Sequence, residues 1–447
     1  MKYPKIGFID DGSPNAFTYG RTKNDARVVI TRGILELLNE DEVKTVVAHE
    51  LGHANHYDML FMTVAQIVPL LLYYVYEILL NCSSRKRSKS SKSNSNSDDW
   101  TEVIGIVAYV LYIISQYIIL WLSRTREYYA DSFSIEETEN PSALASALIK
   151  IGFGLAVGNT EGKSKVSAGN ALGISNAKVS KGVAIGFYNN EGFSKENVIN
   201  AMKWERWNIW AKINELNSTH PLISKRLLAI SDRCEDFGQP PYIEFNEQQT
   251  ESYLDDFFKE LFIASLPALV IIGTIIAIIC THATTAIPLS LGAVLFSISL
   301  IIRLLYTHKD HGYKETNVAE LLSEVKVSNV TSIPCIIEGT IIGRGNPGCI
   351  FNEDFVIKDE TGIMFLDYNQ PLATAEKIFA LFKSKEYFDK KVRVKGWYRR
   401  SIVPYIEVKS MEIDRVEKKC HTYTVTKVIL GIFLVLAFAC FIYTMGI

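Results

Sequence analysis

The sequence predicts a mostly α-helical, multi-pass membrane protein of about five transmembrane helices, carrying one small β-rich soluble domain. Two observations support this. Hydrophobic residues make up 48% of the 447, yet mean hydropathy is only +0.10, so the apolar residues are gathered into blocks. Between the fourth and fifth blocks the chain alternates apolar and polar residues with the period of strands. Lys plus Arg total 47 against 49 Asp plus Glu, a net charge of -2. That balance excludes a globally basic nucleic-acid binder and an acidic tail. The apolar content excludes a largely disordered chain. The seven scattered cysteines include no CxxC pair, which argues against a disulfide framework or a cysteine zinc site and fits a reducing compartment or membrane burial. Met1–Gly12 is polar, with Asp10 and Asp11, and does not read as a cleavable signal peptide.

Five stretches reach the roughly 20 apolar residues that a bilayer crossing takes. They lie near Leu60–Leu80, Val103–Leu122, Phe262–Cys280, Ala286–Leu305 and Val428–Met445. The first includes Gln66 and Pro69 and ends near Glu77; the second includes Gln116. Between them, residues 81–100 are rich in Ser, Asn, Lys and Arg and read as a solvated, disordered linker. The expected organisation is 1–59, a membrane hairpin over 60–122, 123–258, a second hairpin over 262–305, a soluble domain over 306–425 and a last helix over 428–446. Five crossings put 1–59, 123–260 and 306–425 on one side. Arg124, Arg126, Lys259, Arg303, Lys309, Lys418, Lys419 and Lys427 flank the spans there, so the positive-inside rule makes that side cytoplasmic. The basic residues of the linker (Arg85, Lys86, Arg87, Lys89, Lys92) argue the other way but are the minority.

His49-Glu50-Leu51-Gly52-His53 is an HExxH motif. On a helix, positions four apart share a face, so two imidazoles can converge on one zinc ion while Glu50 stands ready to take a proton from water. Asn39 followed by Glu42 resembles a capping box. Val43, Val46, Val47, Leu51 and Ala54 form an apolar stripe at helical spacing. A catalytic zinc needs a third protein ligand. His56 is one candidate, but three ligands within two turns of one helix converge poorly. Glu127, directly after the second span, is a better one, and Asp131 one turn later can hold a ligand imidazole by its other nitrogen. Two spans separate the half-sites, so both return to the same membrane face.

His49–Asp58 (HELGHANHYD) with Ser123–Asp131 (SRTREYYAD) resembles the HtpX-type membrane zinc metalloproteases, a gluzincin family. Pro14–Gly20 is similar to that family's segment before the metal helix, and Ser218-Thr219-His220-Pro221 with Arg226 to its block after the third ligand. The match covers roughly residues 5–230. The resemblance implies a zincin-type metallopeptidase fold with one Zn2+ per chain on His49, His53 and Glu127, and catalysis by Glu50. It implies that His220 steadies the transition state and that Asp131 and Arg226 organise the site. It further implies an edge strand at Asn15, Ala16 and Phe17 that pairs with extended polypeptide substrates, expected to be membrane or misfolded proteins in membrane protein quality control.

Residues 152–192 are rich in Gly, Ser, Asn and Lys and read as a mobile loop. Glu191–Leu216 reads as helical, with Trp204, Trp207 and Trp210 at spacing three expected to pack in a core or at a membrane interface. In the region 306–425, strands are expected at Cys335–Thr340, Asp354–Lys358, Gly362–Asp367, Lys391–Tyr398 and Tyr405–Ser410, with a helical piece at Leu372–Lys383. Five strands with an inserted helix resemble an OB-like barrel. Gly343–Gly348 spells GxGxxG, but no helix is expected to open after it, so it reads as a turn. The basic stretch Lys383–Arg400, with Trp397 and Tyr398, could meet nucleic acid or anionic lipid headgroups; the lipid bilayer is an expected partner and nucleic acid is not. The leading expectation is a zinc-dependent membrane endopeptidase, multi-pass in the cell membrane with its catalytic domain facing the cytoplasm. The alternative is a membrane-tethered adaptor whose barrel binds nucleic acid, lipid or protein, with a non-catalytic zinc site.

Overall fold

The computed structural model of the chain describes residues 3–12, 14–89, 97–157, 188–189, 192–193, 195–249, 251–281, 286–344, 355–368, 370–371, 387–401 and 403–446. The chain divides into two compact units. The first includes Met1–Gly154 and Ile213–Glu244; the second includes Phe245–Ile447 and the helix Lys195–Trp207.

In the first unit, β1 (Lys5–Ile9), β2 (Ala16–Tyr19) and β3 (Arg27–Thr31) form a sheet in the order β1-β3-β2. β1 runs parallel to β3 and β2 antiparallel to it, leaving β2 at an edge. A short helix α1 (Arg32–Leu37) leads to α2 (Glu40–Asn55), which carries HExxH. The α2 start is a full capping box: the Glu42 backbone N–H donates to the Asn39 side chain, and the Asn39 N–H donates to Glu42. Only part of the expected apolar stripe is buried. Val46 and Ala54 are buried, but Val43, Val47 and Leu51 are only partly so, and Glu42, Thr45, Ala48, His49 and Gly52 complete the inner face. The face is set by the close approach of α2 to α5 (Ser97–Thr138). A Cβ on Gly52 would lie 3.0 Å from the Ala130 Cα, so glycine here lets two backbones touch.

The first span is two helices, α3 (Asp58–Ala65) and α4 (Ile67–Lys89). The break at Gln66 follows from Pro69, which has no N–H to donate to the Ala65 carbonyl four residues back. α4 continues through residues 81–89 and α5 begins at Ser97, so helix covers most of the stretch expected to be a disordered linker. α5, 42 residues long, crosses back and runs without interruption into Glu127 and Asp131. α6 (Pro141–Val157) follows; Ser146 and Lys150 on it bind the Glu42 carboxylate at 2.6 and 2.9 Å, pinning the start of α2.

The second unit begins its helices with α7 (Lys195–Trp207), broken at Asn208 from α8 (Ile209–Leu216), whose residues from Ile213 on belong to the first unit. Trp204 Nε1 donates to the Val327 carbonyl and Trp210 Nε1 to the Glu260 carboxylate, so the tryptophan stripe supplies core contacts. A hairpin of α10 (Leu254–Thr281) and α11 (Ala286–Thr307) follows α9 (Ile223–Asp232) of the first unit, and the chain ends in α12 (Thr422–Met445). Among the described residues, five helices are long and apolar enough to cross a membrane: Asp58–Leu80, Val103–Thr138, Leu254–Cys280, Ala286–Thr307 and Thr422–Met445.

Between the last two lies a small β-barrel. β4 (Ile333–Arg344) pairs antiparallel with β5 (Phe355–Lys358), β5 with β6 (Ile363–Asp367), β6 parallel with β8 (Pro404–Ile413), β8 antiparallel with β7 (Lys391–Arg400), and β7 back onto β4. Strands stand at all five expected places: β4, β7 and β8 run a few residues longer than expected, while β5 and β6 do not extend beyond the expected bounds; Lys314–Glu315 and Val416–Lys419 add short flanking strands. β4 serves both sides of the barrel, pairing with β7 up to Thr340 and with β5 from Thr340 on; a Cβ on Gly339 would meet the Lys358 carbonyl oxygen at 2.5 Å, so glycine allows the backbones to approach there. The barrel is fastened to α11: Arg399 donates to the Thr307 carbonyl and to Glu407, and His308 Nε2 lies 2.9 Å from Glu407. Most of the expected loop at 152–192, the expected helix at Leu372–Lys383, and Gly345–Gly348 of the GxGxxG segment lie outside the described residues.

Candidate metal centre

The site is assembled within the first unit by α2, α5, the segment around His220 and α9. His49 and His53 project from one face of α2, their rings edge to face with centroids 4.9 Å apart. α5 brings in Glu127. Its Oε2 lies 3.7 Å from His49 Nε2 and its Oε1 3.6 Å from His53 Nε2, and the three potential donor atoms fall within 4.8 Å of one another. Tetrahedral zinc with bonds of about 2.1 Å sets neighbouring ligand atoms about 3.4 Å apart, so the spacing fits one ion. His49 is wholly buried, and among the described residues its Nε2 has no hydrogen-bond partner, as is true of Glu50 Oε1. A buried lone pair left without a donor is costly; a cation would satisfy the His49 nitrogen.

Each imidazole is backed by a carboxylate on its other nitrogen. His49 Nδ1 lies 2.9 Å from Asp131, and His53 Nδ1 lies 2.7 Å from Asp58. That arrangement places the protons on Nδ1 and turns both Nε2 lone pairs inward. Asp131 is itself held by Arg226 of α9 through two parallel bonds, Nε to Oδ2 at 2.8 Å and a terminal nitrogen to Oδ1 at 2.7 Å. Burial opposes the Arg226 charge, but the carboxylates of Asp131 and Glu127 outweigh it and raise its pKa above the ordinary arginine value. Burial likewise opposes a charge on His53, and the hydrogen bond to Asp58 with the charges of Glu127 and Glu50 more than offset it, so its pKa is raised. A proton therefore competes for His53 with any metal, and affinity falls as pH drops.

His220 Nδ1 sits 3.0 Å from Glu127 Oε2. Its segment is held by Arg124, which donates to the carbonyls of Glu215 and Ser218 at 2.8 and 2.9 Å. His56 caps α2 and packs its ring against Tyr129 and Phe133, away from the cluster of three. Ala16 and Phe17 lie in the edge strand β2, whose Thr18 hydroxyl donates to the Glu50 carbonyl at 3.0 Å. The Asn15 backbone N–H and carbonyl are both engaged with Thr31. Sequence reasoning missed Asp58, Arg126, which donates to the Asp58 carbonyl at 3.1 Å, and Gly52. Asp58 stands inside the HELGHANHYD segment, and a glycine in the middle of a helix is itself a signal of close backbone approach.

Comparison with known proteins follows from this geometry. The model of peptidase family M48 matches residues 1–234, just over half of the chain. A protein named Protease HtpX homolog from Methanothermobacter thermautotrophicus is 43% identical over 148 residues, covering 33% of this chain and 52% of its own. Another of that name from Lactobacillus helveticus is 37% identical over 158 residues, with the same coverage. The chain spans about half the length of the curated relatives it matches. The crystal structure of S. mikatae Ste24p aligns at 18% identity over 51% of this chain and 47% of its own, with a TM-score of 0.31, too low to carry an argument about fold. The family implies a metal, and the matches favour the metallopeptidase expectation over the adaptor.

Proposed function

The chain belongs to peptidase family M48, and from that premise we propose that it is a zinc-dependent, multi-pass membrane endopeptidase that hydrolyses peptide bonds of membrane or misfolded proteins. The observation that carries the reading is the meeting of His49, His53 and Glu127 beside Glu50, from two helices separated in sequence by a membrane hairpin. His49, His53 and Glu127 would hold one zinc ion per chain. When bound, zinc supplies Lewis acidity and makes water acidic enough to deprotonate near neutral pH. Glu50, next to His49 and with Oε1 unbonded, receives the proton of the attacking water and passes it to the leaving amine. His220 turns Nδ1 to Glu127, leaving its other ring nitrogen to steady the developing oxyanion. Asp131 and Arg226 keep His49 oriented. An extended substrate would add along the outer edge of β2 at Ala16 and Phe17, binding through backbone with little sequence preference; the expected backbone pairing at Asn15 is not part of this reading, because Thr31 holds its N–H and carbonyl.

The cytoplasmic orientation of the catalytic unit is supported by the Lys and Arg residues flanking the spans on that side. Division into a split peptidase domain and a soluble domain over 306–425 remains our reading. An OB-type barrel is supported by its strand order, in which the first strand closes on the fourth and the third lies parallel to the fifth. The test is Glu50→Gln, purified in detergent. The variant is expected to retain stoichiometric zinc and to lose cleavage of casein by at least about a hundredfold. Cleavage at the wild-type rate would remove the mechanism.

A further inference from the structure

The turn between β2 and β3, residues 20–26, stands beside the point where the first membrane span begins. Lys23 Nζ lies 5.4 Å from the ring centroid of Tyr57, the residue that opens α3. Outward-facing apolar side chains begin at Leu60 and Phe61, three residues on, or about 4.5 Å along a helix axis. The headgroup layer of a bilayer is about 5–7 Å deep, so the Tyr57 backbone falls within it. Tyr57 has φ 58, a left-handed conformation that glycine adopts freely and tyrosine only at a cost. Its ring is nonetheless 40% exposed, so core packing does not account for a tyrosine there. Tyr19, at the end of β2 where the turn starts, is 45% exposed, and the Arg27 guanidinium lies 5.6 Å from its ring. Asp25 pairs with Arg27 at 3.1 Å. That leaves Arg21, which is exposed, and Lys23, which is partly so, with no carboxylate partner among the described residues.

We propose that this turn, with Tyr19 and Tyr57, is a docking surface for the headgroups of anionic phospholipid. Amphipathic aromatic rings settle at headgroup level, where one end is apolar and the other wet. Each Lys or Arg close to an anionic leaflet adds attraction worth about fivefold in binding. The turn therefore combines the two residue types that a bilayer surface selects, and its two cations have no internal carboxylate to neutralise them. Position favours lipid over a soluble anion or an acidic polypeptide. The span that follows Tyr57 fixes the bilayer next to Lys23, so headgroup phosphates meet the turn at a high effective concentration that no free ligand matches. Docking braces the edge strand β2, whose Thr18 hydroxyl donates to the Glu50 carbonyl at 3.0 Å, against the membrane surface.

The test needs no hydrolysis, so it stands apart from the peptidase reading. A photoreactive benzophenone side chain replaces the exposed Thr22 in the full chain, reconstituted in vesicles of equal phosphatidylglycerol and phosphatidylcholine. Mass spectrometry of the irradiated protein counts the adducts of each lipid. Phosphatidylglycerol adducts are expected to exceed phosphatidylcholine adducts on the order of tenfold, the work of two cations. Adding Arg21→Gln and Lys23→Gln is expected to bring the ratio close to one, while the charge-retaining pair Arg21→Lys, Lys23→Arg keeps it. A ratio near one before any charge is removed overturns the proposal. So does a ratio that the two glutamines leave unchanged, or one that the charge-retaining pair abolishes. Capture of a second copy of the chain in place of lipid, or of no lipid at all, also overturns it.

Discussion

Replacing Arg226 by methionine tests how the buried charges of the metal centre hold together. Arg226 is 1% exposed and Asp131 4%; they share two bonds of 2.7 and 2.8 Å, and Glu127 lies 3.4 Å from the same guanidinium. Removing one partner of a buried pair leaves uncompensated charge and costs about 3–5 kcal/mol. For a unit of this size that lowers the melting temperature by about 10 °C. Asp131, no longer fixed, then holds His49 less well, and metal affinity falls about 10–100-fold. The double variant Arg226→Met, Asp131→Leu separates the two effects. With both charges replaced by apolar groups, much of the stability returns, while His49 still lacks its acceptor and affinity stays low. Thermal unfolding in detergent reads the first quantity and competition with a zinc-chelating dye the second. A single variant that loses less than about 1 kcal/mol, or a double variant that recovers full zinc affinity, refutes the account.

Three further outcomes follow from the same contacts. Gly52→Ala places a methyl 3.0 Å from Ala130 Cα; overpacking of about 1–3 kcal/mol exceeds the roughly 1 kcal/mol that alanine gains in a helix, so calorimetry is expected to find net destabilisation together with weaker zinc binding. Asp58→Ala removes the acceptor of His53 and is expected to lower zinc affinity about tenfold with little change in fold, read by metal titration and circular dichroism. In the barrel, burial pushes the Glu407 carboxyl up, but His308 and Arg399 outweigh it and bring its pKa from 4.5 to about 2. A carboxylate whose pKa falls on folding adds stability that is fully present above about 4.5 and is lost as pH drops towards about 2. The gap corresponds to about 3 kcal/mol, so wild type is expected to lose stability between pH 5 and pH 2 by about that much more than Glu407→Gln, measured by unfolding monitored at Trp397.

The parts of the site that local geometry determines were legible in the sequence. His49 and His53 must share a helix face, and Asn39 with Glu42 announces where that helix starts, because these relations span four residues or fewer. Glu127 was legible for a different reason: two spans between the half-sites return the chain to the same face. Asp58, Arg126 and Gly52 were not singled out: Asp58 meets His53 only because the chain turns after α2, and the roles of Arg126 and Gly52 arise from the docking of α5 on α2. The apolar stripe of α2 was only half right for the same reason: the inner face is set by α5 and α6, which accept Glu42 through Ser146 and Lys150 of α6 and the Thr45 carbonyl through Ser134 of α5. In the barrel, strands of alternating pattern were readable, while the two-residue and four-residue flanking strands carry too little periodicity to stand out. Residues 81–89 read as linker by composition, yet α4 continues through them, since helix once begun extends at low cost per residue.

The interruption of the ligand set by a membrane hairpin bears on biosynthesis. A ribosome that has delivered α2 has made two histidines and a glutamate but no complete cage; Glu127 arrives only after the chain has passed out through the lipid and returned. The nascent polypeptide therefore cannot bring Glu127 to His49 and His53 before the hairpin has been made, and a metal held by all three would bind only after that.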